Sequence, residues 1–131
     1  MIGLDTNILV RYITLDDPIQ SPVAVRLVDS LSTDEPGFVS LVVSAELAWV
    51  LDFSYSFNRA ATIRVFEALL QSKELVVEQA EVVSRALRLY SAGDAGLADC
   101  LIQRGSTAAG CVQTFTFDPK AARSAGMQLL K

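Results

Sequence analysis

The chain has 131 residues, of which 51% are hydrophobic and 20% charged, with a formal net charge of −4 and no histidine. A domain takes about 100–200 residues, so this length allows one domain, residues 1–131, whose core needs neither disulfides nor a structural metal. The missing histidine excludes a Ser–His–Asp or Cys–His nucleophile, an imidazole acid–base pair and a zinc site with histidine ligands. Any catalysis has to run on carboxylates, hydroxyls, lysine, arginine or a metal held by oxygen. The acidic balance argues against nucleic-acid binding by bulk charge, although a cation held among clustered acids reverses the local field. Cys100 and Cys111 do not form a C-x-x-C motif and read as two reduced core thiols. Met1-Ile2-Gly3-Leu4-Asp5 has no basic region of the signal-peptide kind, and no apolar run approaches the ~20 residues of a membrane span. A cytoplasmic protein without membrane association is expected.

Short strand-like pieces alternate with longer helical ones. Ile2 to Asp5 reads as a strand and Ile8 to Ile13 as one or two helical turns. A helix is expected to begin at Ser21-Pro22, a capping residue followed by proline at the first helical position. Pro36-Gly37 breaks the chain before a second strand at Phe38 to Leu41. Val42 to Tyr55 reads as a helix apolar on nearly every side, and Asn58 as the cap of the next, with Ile63, Phe66, Leu69 and Leu70 turned inward. Glu74 to Val77 is a third strand, and Glu81 to Tyr90 an amphipathic helix stopped by Gly93. A helix from about Ala95 to Thr107, a strand at Cys111 to Phe117, a short helix near Ala121 and a strand at Met127 to Leu130 complete the pattern. Such alternation predicts an α/β fold with a parallel sheet covered on both faces, and ligands at the carboxyl ends of its strands.

Four acids stand where an apolar residue would be ordinary. Asp5 ends the first strand and Asp118 follows the fourth, and each has a plain alternative role as a helix cap. Glu46, in Val42-Val43-Ser44-Ala45-Glu46-Leu47-Ala48-Trp49, and Asp99, in Gly96-Leu97-Ala98-Asp99-Cys100-Leu101, sit in apolar helices without a neighbouring cation. Buried carboxylates need a partner or a proton. Gathered in one cleft, the four would repel one another unless a cation lay between them, and an oxygen-only donor set suits Mg²⁺ or Mn²⁺. One or two such ions would activate water and steady the leaving oxygen of a phosphodiester.

At these residues the chain resembles the PIN-domain family, and within it the VapC-like ribonuclease toxins of toxin–antitoxin pairs. The resemblance rests on Leu4-Asp5-Thr6-Asn7 with Arg11-Tyr12, on Ser44-Ala45-Glu46-Leu47, on Leu97-Ala98-Asp99-Cys100-Leu101-Ile102 and on Thr116-Phe117-Asp118-Pro119-Lys120-Ala121-Ala122. It implies a three-layer α/β/α sandwich around a central parallel sheet of four to five strands. It implies Mg²⁺- or Mn²⁺-dependent cleavage of single-stranded RNA, with Asp5, Glu46, Asp99 and Asp118 as catalytic metal ligands and Thr6, Asn7 and Thr116 supporting them. Homodimers and a cognate antitoxin of a type II pair are implied as partners. Many relatives carry an acid three residues before the position of Asp99, where this chain has Gly96; Asp94 lies nearby and is expected to cap a helix.

The aromatic set Trp49, Phe53, Tyr55 and Phe57 is expected to serve core and dimer packing, with any exposed remainder suited to an antitoxin segment. Arg11, Arg59, Arg64, Lys120 and Arg123 are candidates for RNA contact, or simply a solvated face. The alternative to a ribonuclease is a catalytically weak or inactive PIN-like binding or scaffold module, which Gly96 favours. A phosphatase on a similar sheet is disfavoured, because Thr6-Asn7 rather than a second acid follows Asp5.

Overall fold

The computed structural model describes residues 1–131, which form two compact units, Met1–Glu78 and Gln79–Lys131. In the first, β1 (Ile2–Gly3), β2 (Gly37–Val39) and β3 (Leu75–Val77) pair side by side in that order, all parallel. Parallel neighbours need crossovers, and each crossover here is a pair of helices. α1 (Thr6–Thr14) and α2 (Gln20–Asp29) link β1 to β2, while α3 (Leu41–Phe53) and α4 (Arg59–Gln71) link β2 to β3. α1 packs on both α2 and α3. Leu4, Leu9, Val39, Leu47, Leu51 and Phe66 are buried in the core of this unit. Gly37 lies at its tightest point: a Cβ there would come within 2.8 Å of Leu31 Cδ1 and 2.9 Å of Leu4 Cδ1. Any side chain there makes at least one of these leucine methyl groups shift.

The second unit starts with α5 (Ala80–Ala92), from which the short connection at Gly93–Gly96 folds α6 (Leu97–Ala108) back against it. Val82, Val83, Ala86, Leu87 and Tyr90 of α5 and Leu97, Cys100 and Leu101 of α6 are buried. β4 (Phe115–Thr116), α7 (Pro119–Ser124) and β5 (Gln128–Leu129) follow, with β4 and β5 paired in parallel. The fold is α/β with parallel strands and seven helices. Its five strands are divided between a three-stranded and a two-stranded sheet, where one sheet of four to five was expected. No helix is long and apolar enough to cross a membrane.

Several local expectations need correction. α2 begins at Gln20 rather than after Ser21, because Asp17 Oδ1 accepts from the backbone N–H groups of Ile19 and Gln20 at 2.9 and 2.7 Å. The fourth strand shrinks to two residues, since Cys111, Val112 and Gln113 are exposed and pair with no other strand. Cys100 is buried as expected, but Cys111 is exposed, and no disulfide joins them. α3 is not covered all round: Val42, Trp49 and Phe53 are 77%, 53% and 67% exposed along one stripe. Trp49 and Phe53 pack on each other, ring centroids 5.0 Å apart, and so shield little of that stripe.

Arg11 is not a free cation. Its guanidinium donates to Asp16 Oδ1 at 3.2 Å, to Tyr55 Oη at 3.1 Å and to Gln20 Oε1 at 2.9 Å, while Tyr55 Oη donates to Asp16 Oδ2 at 2.7 Å. The network ties the end of α1 to the chain just after α3. The Thr14 hydroxyl, then that of Tyr55, hold the Asp16 carboxyl below its usual range. A depressed folded pKa gives stability that is present above the unfolded value of about 3.9 and lost as pH falls through the folded one. Asp16→Asn is therefore expected to melt below the wild type at pH 7, and the gap should close on acidification; an equal gap at pH 7 and pH 2 would refute the assignment.

Candidate functional site

Two of the four acids are placed by strand-to-helix turns. Gly3 pairs with Phe38, and Leu4 N–H donates to Phe38 O at 3.0 Å, so Asp5 comes level with Ser40 at the carboxyl end of the sheet. Asp5 caps α1, its Oδ1 accepting from Thr6 N–H at 2.7 Å, and Ser40 caps α3 by accepting from Val43 N–H. Asp118 caps α7 in the same way, its Oδ1 accepting from Lys120 N–H at 2.9 Å with Pro119 next in line. Each cap uses one carboxylate oxygen and leaves its partner oxygen open to a ligand. The capping reading and the ligand reading of Asp5 and Asp118 are thus compatible.

Glu46 stands in the second turn of α3 and is exposed, with neither a hydrogen bond nor an ion pair. The expectation of burial fails because α3 leaves that face open to solvent. Asp99, in the first turn of α6, is only partly exposed. Burial, and then the charge of Asp118, push its carboxyl up, with Lys120 as the opposing influence. Asp99 and Asp118 are therefore close enough to feel one another. Asp5 and Glu46 lie in the other unit, and within neither unit do three or more acids or thiols converge to hold a metal ion.

The supporting residues divide. The Thr116 hydroxyl accepts from Asp118 N–H at 3.0 Å and so fixes the backbone of that turn. The Thr6 hydroxyl is buried and without a partner beside Asp5, whereas Asn7 is exposed and makes no hydrogen bond to Asp5. Ser44, two residues before Glu46, was not singled out as a supporting residue, yet its hydroxyl is also buried and unpartnered. A lone hydroxyl inside an apolar helix was the available signal. Asp94 is not a cap: it pairs with Arg123 at 3.1 Å and accepts from the Ser124 hydroxyl, which together hold its carboxyl down. Gly96 takes the cap position of α6 with no side-chain bond. Arg11 and Arg123 are thus committed to acids, and Arg64 lines an apolar cavity with Tyr12, Phe57 and Leu69.

The donor set fits a hard divalent cation. The Asp99–Asp118 pair offers only oxygen, carries unbalanced negative charge, and needs few protein ligands if water or substrate oxygens complete the shell, as Mg²⁺ prefers. Thermal melts check this pair in two ways. Without divalent ions, Asp99→Asn should melt above the wild type at pH 7, because it removes a charge that burial and Asp118 disfavour. Gly96→Asp would place a Cβ 3.7 Å from Asp99 Oδ2. That variant should gain more melting temperature from Mn²⁺ than the wild type does. An equal Mn²⁺ response would show that position 96 cannot reach the ion.

The family model of the PIN domain matches residues 2–126. Neither curated protein sequences nor solved structures give a match. PIN domains are generally nucleases, hydrolases that typically use divalent metal ions. With parallel strands, strand-end acids and a match over almost its whole length, the chain belongs to the PIN domain family, whose fold is of the nuclease type.

Proposed function

We propose that this PIN domain is a metal-dependent endoribonuclease that hydrolyses single-stranded RNA, and that it is the toxin of a type II toxin–antitoxin pair acting in the cytoplasm. The observation that carries the reading is the Asp99–Asp118 pair, in which burial and then the charge of Asp118 push the Asp99 carboxyl up, and neither acid is in a salt bridge. The four motifs that resemble VapC-like toxins support the finer assignment, and the match over 2–126 supports taking residues 1–131 as one domain.

In this reading Asp5, Glu46, Asp99 and Asp118 hold Mg²⁺ or Mn²⁺. Once bound, the ion would supply a polarised water at neutral pH and offset the charge that builds on the phosphodiester. Asp118 and Asp5 keep one oxygen each on a backbone N–H, so their second oxygen is oriented before any ligand arrives. Thr116 fixes the turn that aims Asp118. Partial burial of Asp99 lowers the local dielectric and strengthens its hold on a cation. With no histidine to activate a side-chain hydroxyl, water is the nucleophile in this reading: its oxygen bonds phosphorus as the P–O bond to the leaving ribose oxygen breaks, a proton from the water ends on that oxygen, and no covalent enzyme intermediate forms.

The proposed partners are a second copy of the chain and a cognate antitoxin. The exposed apolar stripe Val42–Trp49–Phe53 supports self-association, and light scattering on Trp49→Glu against the wild type tests it. A monomeric wild type at tens of micromolar would overturn the dimer.

Cleavage of a mixed-sequence single-stranded RNA in Mg²⁺ or Mn²⁺ tests the activity. Asp99→Asn, Asp118→Asn and EDTA are each expected to reduce the rate at least a hundredfold, with both variants still folded. Undiminished cleavage in EDTA, or in both variants, would sink the mechanism. The second reading, a PIN module with little or no catalysis, is favoured by Gly96, and it requires that millimolar Mg²⁺ or Mn²⁺ leave the melting temperature of the wild type unchanged.

A further inference from the structure

The net charge of −4 is unevenly spread. Met1–Glu78 carries eleven acids against five basic residues, whereas Gln79–Lys131 carries six basic residues against four acids, a formal +2. Three of those six, Arg85 and Arg88 from α5 and Arg104 from α6, line one open groove of about 440 Å³. Leu89, Ala92, Thr107 and Ala108 complete its lining, and no carboxylate is among them.

The existing partners of these arginines are weak. Arg85 meets Glu81 at 3.3 Å, but this i,i+4 pair is 56% and 84% exposed, and such pairs contribute little. Arg88 donates to Ser84 Oγ at 3.3 Å and Arg104 to Gln103 Oε1 at 3.0 Å; neither has an acid. Arg85 and Arg88, three residues apart, are neighbours on one face of α5. Three guanidinium groups whose one acid partner is the exposed Glu81, outside the groove lining, repel each other, and an anion relieves that repulsion. Leu89, Ala92 and Ala108 give the arginine stems an apolar surface to lie on.

We propose that the α5–α6 groove is a phosphate-backbone subsite for single-stranded RNA, with Arg85, Arg88 and Arg104 as its contacts. The identity of the polymer rests on the ribonuclease reading. Arg104 lies about 7.5 Å along α6 from Asp99 and about 140° around it, so a strand reaching both curls over the helix flank. At about 3.4 Å per stacked nucleotide, that axial distance is some two nucleotides. An acidic protein segment is the competing occupant. RNA is favoured because the groove shares α6 with Asp99 and offers a shallow floor of small residues rather than a socket for an apolar anchor.

The test is fluorescence anisotropy with a labelled 12-nucleotide mixed-sequence RNA, using the full chain in an Asp99→Asn background, from 50 to 200 mM NaCl. Three single-strand phosphate contacts at ~0.7 each should make the log–log salt slope shallower by about 2 in Arg85→Gln/Arg88→Gln/Arg104→Gln. The corresponding triple lysine variant should restore the slope, which separates charge from misfolding. Arg26→Gln/Lys73→Gln/Lys131→Gln should leave it unchanged. Wild-type affinity and slope in the triple glutamine variant would overturn the proposal, as would an equal loss in the control triple. So would arginine-dependent binding of a polyglutamate peptide with RNA binding intact, which would assign the groove to a protein. Arginine-dependent RNA binding by a wild type that cleaves no RNA would support the groove and defeat the ribonuclease reading. Cleavage that persists alongside an unchanged slope would do the reverse.

Discussion

A carboxylate at the turn from strand to helix is the interaction on which both the architecture and the proposed chemistry of this chain depend. A helix begins with backbone N–H groups that have no partner in the chain behind them. Asp5 and Asp118 satisfy one such group each and thereby set the angle at which α1 and α7 leave their strands. The same bond immobilises the carboxylate with one oxygen turned away from the helix. An acid fixed in this way costs nothing extra to orient, so structural capping and ligand binding are two uses of one geometry. Asparagine caps nearly as well as aspartate. Charge can therefore be removed at these turns while the turn itself stays in place.

The acids of the second unit show how strongly surroundings decide the state of a carboxyl. Asp94 and Asp99 are five residues apart and shift in opposite directions. Asp94 receives the Ser124 hydroxyl and the Arg123 guanidinium, so its charge is welcome. Asp99 is partly withdrawn from water and faces Asp118, so its charge is resisted. One stabilises the connection between α5 and α6 from α7. The other sits beside a like charge.

Local chemistry made much of this legible. Asn58 and Gly93 bound their helices where the residue types demand it, and the buried faces of α4 and α5 hold Phe66, Leu69, Val82, Ala86 and Tyr90 as their periodicity requires. Misreadings arose wherever the deciding partner lies elsewhere in the chain or is missing altogether. Asp17 starts α2 from outside the motif that Ser21-Pro22 suggests. The partners of Asp94 are 29 and 30 residues away. The exposure of Glu46 and of its apolar neighbours depends on how much of α3 the rest of the chain covers, and an apolar sequence carries no record of that. Likewise, the gathering of Arg85 and Arg88 with Arg104 needs two helices folded together before it exists at all.

Gly37 bears on how any collection of inactive variants should be interpreted. Leu4, Leu31 and Leu75 close on it so tightly that even alanine displaces one of them, and Leu4 is the residue immediately before Asp5. A substitution in the middle of the sheet thus presses on the side chain of the residue that precedes an acid. A screen for loss of the proposed activity is expected to return Gly37 variants that disturb Leu4 as well as the carboxylates, although Gly37 has no functional group of its own. Silence in such a screen marks a path of mechanical support as readily as it marks a ligand, and only variants that preserve volume while removing charge can tell the two apart.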